Sequence, residues 1–133
     1  MPVAPHLQEL SRHESLSLLG GAPLGRVEVS IDALPVVLPV LIVMVDDRIV
    51  FRTVPGTKLT AATQGAIVAV EADDLDERTG QGWTVLVRGI ALEVTDPVLA
   101  GVARARLGTS WIDGAPEHLV EVTTDLVTGR RLG

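Results

Sequence analysis

The chain has 133 residues, 47% of them hydrophobic, no cysteine and a formal charge of -6, and its aromatic residues are limited to Phe51, Trp83 and Trp111. That length suits one domain around one aliphatic core. The acidic balance excludes a general nucleic-acid binder and an attraction to anionic membranes, and the missing cysteines exclude disulfides, thiolate catalysis and cysteine-type zinc sites, which fits a cytoplasmic protein.

The start, MPVAPHLQEL, has no basic segment followed by an apolar one, so no signal peptide is expected. Residues 11–21 read as a short helix, with Ser11 and Glu14 at capping-box spacing and Gly20-Gly21 as its stop. Residues 25–30 alternate like a strand. Two further strands, 34–45 and 48–54, flank Asp46-Asp47, which reads as a hairpin turn. The first of these is apolar on both faces, so both faces should be covered. Its Pro35 and Pro39 place its beginning at a sheet edge or a bend. The run is well short of the ~20 residues that a membrane-spanning helix needs.

Residues 57–64 form one or two helical turns ended by Gly65, and 66–73 form another strand. Residues 74–82 read as a polar loop. A long strand follows over 83–96, with Gly89 at a bend or bulge. Residues 97–107 read as a helix with Pro97 in its first turn, and 118–131 as one closing strand. The sum is about six strands and three short helices in one domain, 1–133. Strands in succession with helices at the corners favour an antiparallel barrel over a parallel sheet. The amount of apolar strand surface also calls for a partner, and a dimer would cover the second face of 34–45.

One corner of this plan carries chemistry. In FRTVPGTKL, residues 51–59, a strand ends in Arg52 and Thr53, turns at Pro55-Gly56, and enters a helical stretch at Thr57 and Lys58. Two cations, two hydroxyls and a glycine at a strand-to-helix corner are the parts of an anion cradle. The same residues also read as an N-cap, a turn and two solvated charges. The second glycine and the spacing of a Walker A loop are absent.

Elsewhere the candidates are weaker. His6, His13 and His118 lack metal-ligand spacing, and His118 reads as structural or solvated. The carboxylates of 73–77 lack the spacing and glycine of a calcium loop. Ser15, Ser17 and Ser110 lack a nucleophile-elbow context. Trp83 reads either as core or as a barrel-mouth residue near a bound ring, and Trp111 as a lid over a pocket. Arg130 and Arg131 either reach a phosphate or solubilise the tail.

Taken together, LGRVEVS, PVVLPV, IVFRTVPGTKL, GWTVLVRGIALEVTD and HLVEVTTDLVTGRRL, in that order, resemble the pyridoxamine 5'-phosphate oxidase-like family of FMN-binding split β-barrel proteins. The likeness is to its small actinobacterial-type members and runs from about Glu9 to Leu132. It implies a mainly β fold with short helices, a split antiparallel barrel, and a homodimer with FMN at the interface. It implies that Arg52, Thr53, Thr57 and Lys58 hold the phosphate, and that Leu38, Pro39 and Val40 lie along the isoalloxazine ring. Trp83 and Thr84 would open a strand that contacts the cofactor, from the same or the other subunit. Where many relatives carry a polar and an aromatic residue after the Pro-Val pair, this chain has Leu41 and Ile42. The long C-terminal segment of the true oxidases is also missing, so oxidation of pyridoxamine phosphate itself is not expected. The implied function is an FMN-dependent oxidoreductase acting on a small molecule. Its alternatives are a deazaflavin-dependent reductase and a non-catalytic flavin-binding or structural dimer.

Overall fold

The computed structural model of the chain describes residues 7–108 and 118–133. Within them lie eight strands and three helices: β1 (Leu7–Leu10), α1 (Arg12–Gly20), β2 (Leu24–Ile31), β3 (Leu34–Val45), β4 (Arg48–Thr53), α2 (Lys58–Ala62), β5 (Ile67–Asp76), β6 (Gln81–Glu93), α3 (Pro97–Leu107), β7 (His118–Val122) and β8 (Leu126–Leu132). All pairings are antiparallel. The strand order is β1-β8-β6-β5-β2-β3-β4-β7, and a further β6–β7 pairing closes six strands into a barrel. The mainly β, split-barrel expectation therefore holds.

Local chemistry explains the elements. Ser11 caps α1 by accepting a hydrogen bond from the Glu14 N–H at 3.1 Å, and Pro97 opens α3 behind an Asp96 cap. Asp46 and Asp47 both have positive φ, 49° and 61°, which is the two-residue hairpin turn that matches the twist of the flanking strands. Asp32 and Ala33 do the same between β2 and β3, at 53° and 63°. Inside the barrel, Phe51, Leu19, Ile49, Val27, Val70, Val87 and Val120 are almost wholly buried. Each such side chain contributes about 1.5–3 kcal/mol relative to exposure. A second cluster, built on Val50, Leu99, Ala103 and Leu119, holds α3 against the outside of the barrel.

The split has a visible cause in β6. Residues 82–88 pair with β8, and 91–93 pair with β7. Gly89 stands between the two sets, so close to the connection between β7 and β8 that a Cβ there would lie 1.7 Å from the Thr123 carbonyl oxygen. The glycine expected to mark a bend marks this close approach.

Three expectations are corrected. Residues 74–82 are not a loop: β5 and β6 continue as a hairpin arm to Asp76 and Gln81 around residues 77–80. Much of that arm is exposed, so the apolar alternation that signals a strand is absent there. The closing strand is two strands, parted at Thr123–Asp125 by side chains, not by glycine or proline. Thr123 Oγ1 accepts from the Ile90 N–H at 2.9 Å, and Thr124 Oγ1 donates to the Asp47 carbonyl at 2.8 Å. β3 is covered on both faces only at its far end, around Ile42 and Val45, while Leu34 and Val37 stand exposed. β1, absent from the sequence reading, is an edge strand held by β8 alone.

Candidate functional site

The strand-to-helix corner forms as its sequence requires. Gly56 has φ 80°, a conformation that suits glycine. Thr57 caps α2 by accepting from the Thr60 N–H at 3.2 Å. The hydroxyls of this corner face its own backbone. Thr57 Oγ1 donates to the Val54 carbonyl at 2.9 Å, Thr60 Oγ1 donates to the same oxygen at 2.8 Å, and buried Thr53 Oγ1 lies 2.9 Å from Thr60 Oγ1. Arg52 Nη2 donates to the Gly108 carbonyl at 2.8 Å and so ties β4 to the end of α3. Lys58 differs: its side chain is 81% exposed, and its Nζ lies 3.7 Å from Asp32 Oδ2 in the β2–β3 turn. Against an anion the corner therefore fits through its charges, not through its hydroxyls.

Beside it runs an unpaired backbone edge. The Ile42 N–H donates to the Pro23 carbonyl at 3.0 Å, on the side of β2. Alternate residues of a strand point their polar groups to alternate sides. Pro35, Val37 and Pro39 thus point theirs away from β2, where no strand pairs with them among the described residues. The prolines carry no N–H, so this edge presents three carbonyls and one N–H. It discourages strand addition and suits a flat ring that donates N–H. The side chains of Val36 and Val40 turn inward on the core, and Pro39 faces outward with Arg26. Ile42 is buried in the core, near enough to Gly25 to fill the space a side chain there would take.

Trp83 and Thr84 lie elsewhere. Trp83 packs partly buried on the core, opposite Asp74 on β5 and Arg131 on β8, and Thr84 is exposed opposite Asp73 and Arg130. From Asp74 back to Ile67, at the α2 end of β5, is about 23 Å at roughly 3.3 Å per residue. Within one chain, then, Arg52, Thr53, Thr57 and Lys58 share one corner and Leu38, Pro39 and Val40 the nearby strand, but Trp83 and Thr84 do not join them. Trp111, His6 and Ser110 lie outside the described residues.

Two features go beyond the sequence reading, which gave Arg26 no role and His118 a structural or solvated one. Arg26 bridges Glu71 at 2.8 Å and Asp73 at 2.7 Å, on the sheet face that carries Pro39 and Thr84. The hydrogen bond to Glu71 is the main cause that holds its guanidinium above the usual pKa; desolvation opposes it and the charge on Asp73 adds to it. The second feature is His118, which stands opposite Thr53 on β7. Its Nδ1 is 3.6 Å from Glu93 Oε1, and its Nε2 is buried with no hydrogen-bond partner among the described residues. Neither feature has a local motif, because each pairs residues that are remote in sequence. Among the described residues no helix is long and apolar enough to cross a membrane.

Known proteins resemble this arrangement. A family model described as pyridoxamine 5'-phosphate oxidase matches residues 11–131. An uncharacterised protein of Mycobacterium tuberculosis is 40% identical over 135 residues, which cover 97% of this chain and 88% of that protein. The FAD binding protein from Mycobacterium smegmatis superposes with a TM-score of 0.75 at 33% identity, covering 95% of this chain and 98% of its own. A FAD-binding protein from Mesorhizobium loti reaches a TM-score of 0.83 at 22% identity over 98% of this chain and 99% of its own, which speaks for the fold alone.

Proposed function

The chain belongs to the pyridoxamine 5'-phosphate oxidase family, and on that premise we propose that it is a flavin-dependent oxidoreductase, working as a homodimer on a small-molecule substrate. The observation that carries this reading is the neighbourhood of the exposed Lys58 and the acceptor-rich edge of Pro35, Val37 and Pro39 in a chain whose net charge is -6. A local cation and a flat, proline-blunted edge suit the two ends of a flavin nucleotide, one anionic and one planar. Lys58 would neutralise the phosphate, with Arg52 beside it, while Thr53 and Thr57 hold the corner rigid from within. Leu38, Pro39 and Val40 would support the ring. Trp83 and Thr84, remote from the corner in their own chain, would reach it from the second copy.

A bound flavin supplies hydride or electron transfer. The chain's own part is to bind, orient and exclude water, so it needs no dedicated general base. FMN is the form that the family resemblance implies; the M. smegmatis relative is named as a FAD binder, so the nucleotide is part of the test. The longer acidic tail of a deazaflavin coenzyme would call for a broader basic groove, which places that reading second among the enzymes. A non-catalytic flavin-binding dimer is favoured by one observation: Ile42 is buried in the core, and no polar side chain stands at Leu41 or Ile42 to meet the ring. Mass spectrometry of ligand released from the purified protein, followed by turnover with reduced nicotinamide or deazaflavin donors, separates these. Flavin with turnover supports the enzyme, flavin without it supports the carrier, and no flavin removes both.

A further inference from the structure

Where β2 begins against β3, a proline leaves a strand edge open. Val45 and Arg48 close the two-residue turn, so Val45 and Val43 bond across to β4, and Ile42 and Met44 turn their polar groups the other way. On that side the β2–β3 ladder runs out at Pro23. The Pro23 carbonyl accepts from the Ile42 N–H at 3.0 Å, but its ring has no N–H to offer the Ile42 carbonyl in return. That carbonyl and the Met44 N–H have no partner among the described residues. The Met44 carbonyl accepts from Arg106 Nη1, in the last turn of α3. The guanidinium keeps its other N–H groups, and no carboxylate pairs with it among the described residues. The end of α1 forms the facing wall, and a Cβ on its Gly20 would lie 3.6 Å from Met44 Cγ. The cleft so enclosed has a volume of about 380 Å³.

We infer that this cleft binds a free α-amino acid with an apolar side chain. The Ile42 carbonyl and the Met44 N–H flank Val43 as such groups flank a residue in a parallel ladder, one accepting from the N–H and the other donating to the C=O of a single neighbouring residue. An extended amino acid running parallel to β3 sets its ammonium group at Ile42 and its carboxylate at Met44. The charges match these ends. Arg106, beside Met44, adds charge-assisted hydrogen bonds to the carboxylate. The last carbonyls of α1 lack intrahelical donors and carry partial negative charge, which suits the ammonium group. Pro23 closes the edge before Ile42 and Arg106 closes it after Met44, so the cleft takes one residue and not a peptide. Pro23, Val43 and Met44 give its lining an apolar character. The site lies on the edge of β3 opposite to that of Pro35, Val37 and Pro39, and it does not depend on the flavin reading.

Calorimetry of the full chain with L-leucine as the probe tests the inference. The wild-type chain should bind L-leucine saturably, and amide exchange at Met44 should slow on binding while that of Val43, already paired with β4, stays as it was. Leucinol lacks the carboxylate and isocaproate lacks the ammonium group, and each should bind at least about tenfold more weakly than leucine. Arg106→Gln, a change at an exposed side chain, should weaken leucine binding by about the same factor. Pro23→Ala supplies the missing N–H and occupies the Ile42 carbonyl, so it should weaken binding with every charge left in place. Circular dichroism checks the fold of both variants, and the two analogues test the wild-type chain without any substitution. No binding of L-leucine at millimolar concentration overturns the inference. So does an analogue that binds as tightly as leucine, or a folded variant of either kind whose affinity is unchanged.

Discussion

Lys58 Nζ stands 3.7 Å from Asp32 Oδ2, so the most exposed cation of the corner is faced by a carboxylate from the β2–β3 turn. An anion entering the corner competes with Asp32 for Lys58. Both side chains are largely solvated, so the pair adds little to folding.

It follows that Asp32→Asn strengthens flavin binding. The gain is that of releasing one exposed pair, about two- to fivefold, and it shrinks as salt is raised. Titrations at low and high ionic strength measure it. An unchanged or weakened affinity at low salt contradicts the competition.

Gly89 gives a stability prediction. Its missing Cβ is space occupied by the Thr123 carbonyl, and neither backbone can yield without loosening the crossing of β6 and β7. Gly89→Ala should cost about 1–3 kcal/mol in urea unfolding, as overpacking does. A loss within experimental error means that the strands are not held so closely.

Gly129 of β8 is the counterpart under α1. A Cβ there would lie 2.1 Å from Ser15 Oγ, and Ser15 is fully buried and donates to the Ser11 carbonyl at 2.7 Å. Gly129→Ala should lift α1 from the sheet and lower the unfolding midpoint, with faster amide exchange in 12–20 than in β5. Exchange that rises evenly across the chain argues against a local role.

In the proposed homodimer, Trp83 reports on the second copy. In a Trp111→Phe background its fluorescence should be quenched when flavin binds, and the quenching should vanish in variants that no longer dimerise. Quenching that persists in a monomer would place Trp83 within reach of its own chain's corner, against the span of β5.

Much of this was legible in the sequence. Ser11 with Glu14, Asp46-Asp47 and Pro97 carry local signals, and the elements they delimit formed where expected. The corner at 52–58 was likewise legible, because Pro55-Gly56 and Thr57 dictate a turn and a cap. What failed was whatever depends on distant partners. The arm beyond Asp73 is strand only because β5 and β6 pair with each other in solvent, and Thr123–Asp125 breaks a strand only because Ile90, Asp47 and Arg12 meet it there. The hydroxyls of Thr53 and Thr57 illustrate the same limit at the site. Their residue type fits a phosphate, but in the fold they serve Thr60 and Val54.

The decisive measurement is flavin titration of the wild-type chain beside Lys58→Ala. The account predicts about one flavin per chain for the wild type. It predicts a loss of roughly 1.5–3 kcal/mol in the variant, or about ten- to a hundredfold in affinity, with unfolding unchanged. A wild-type chain that binds no flavin, or a variant that binds it as tightly, contradicts the account.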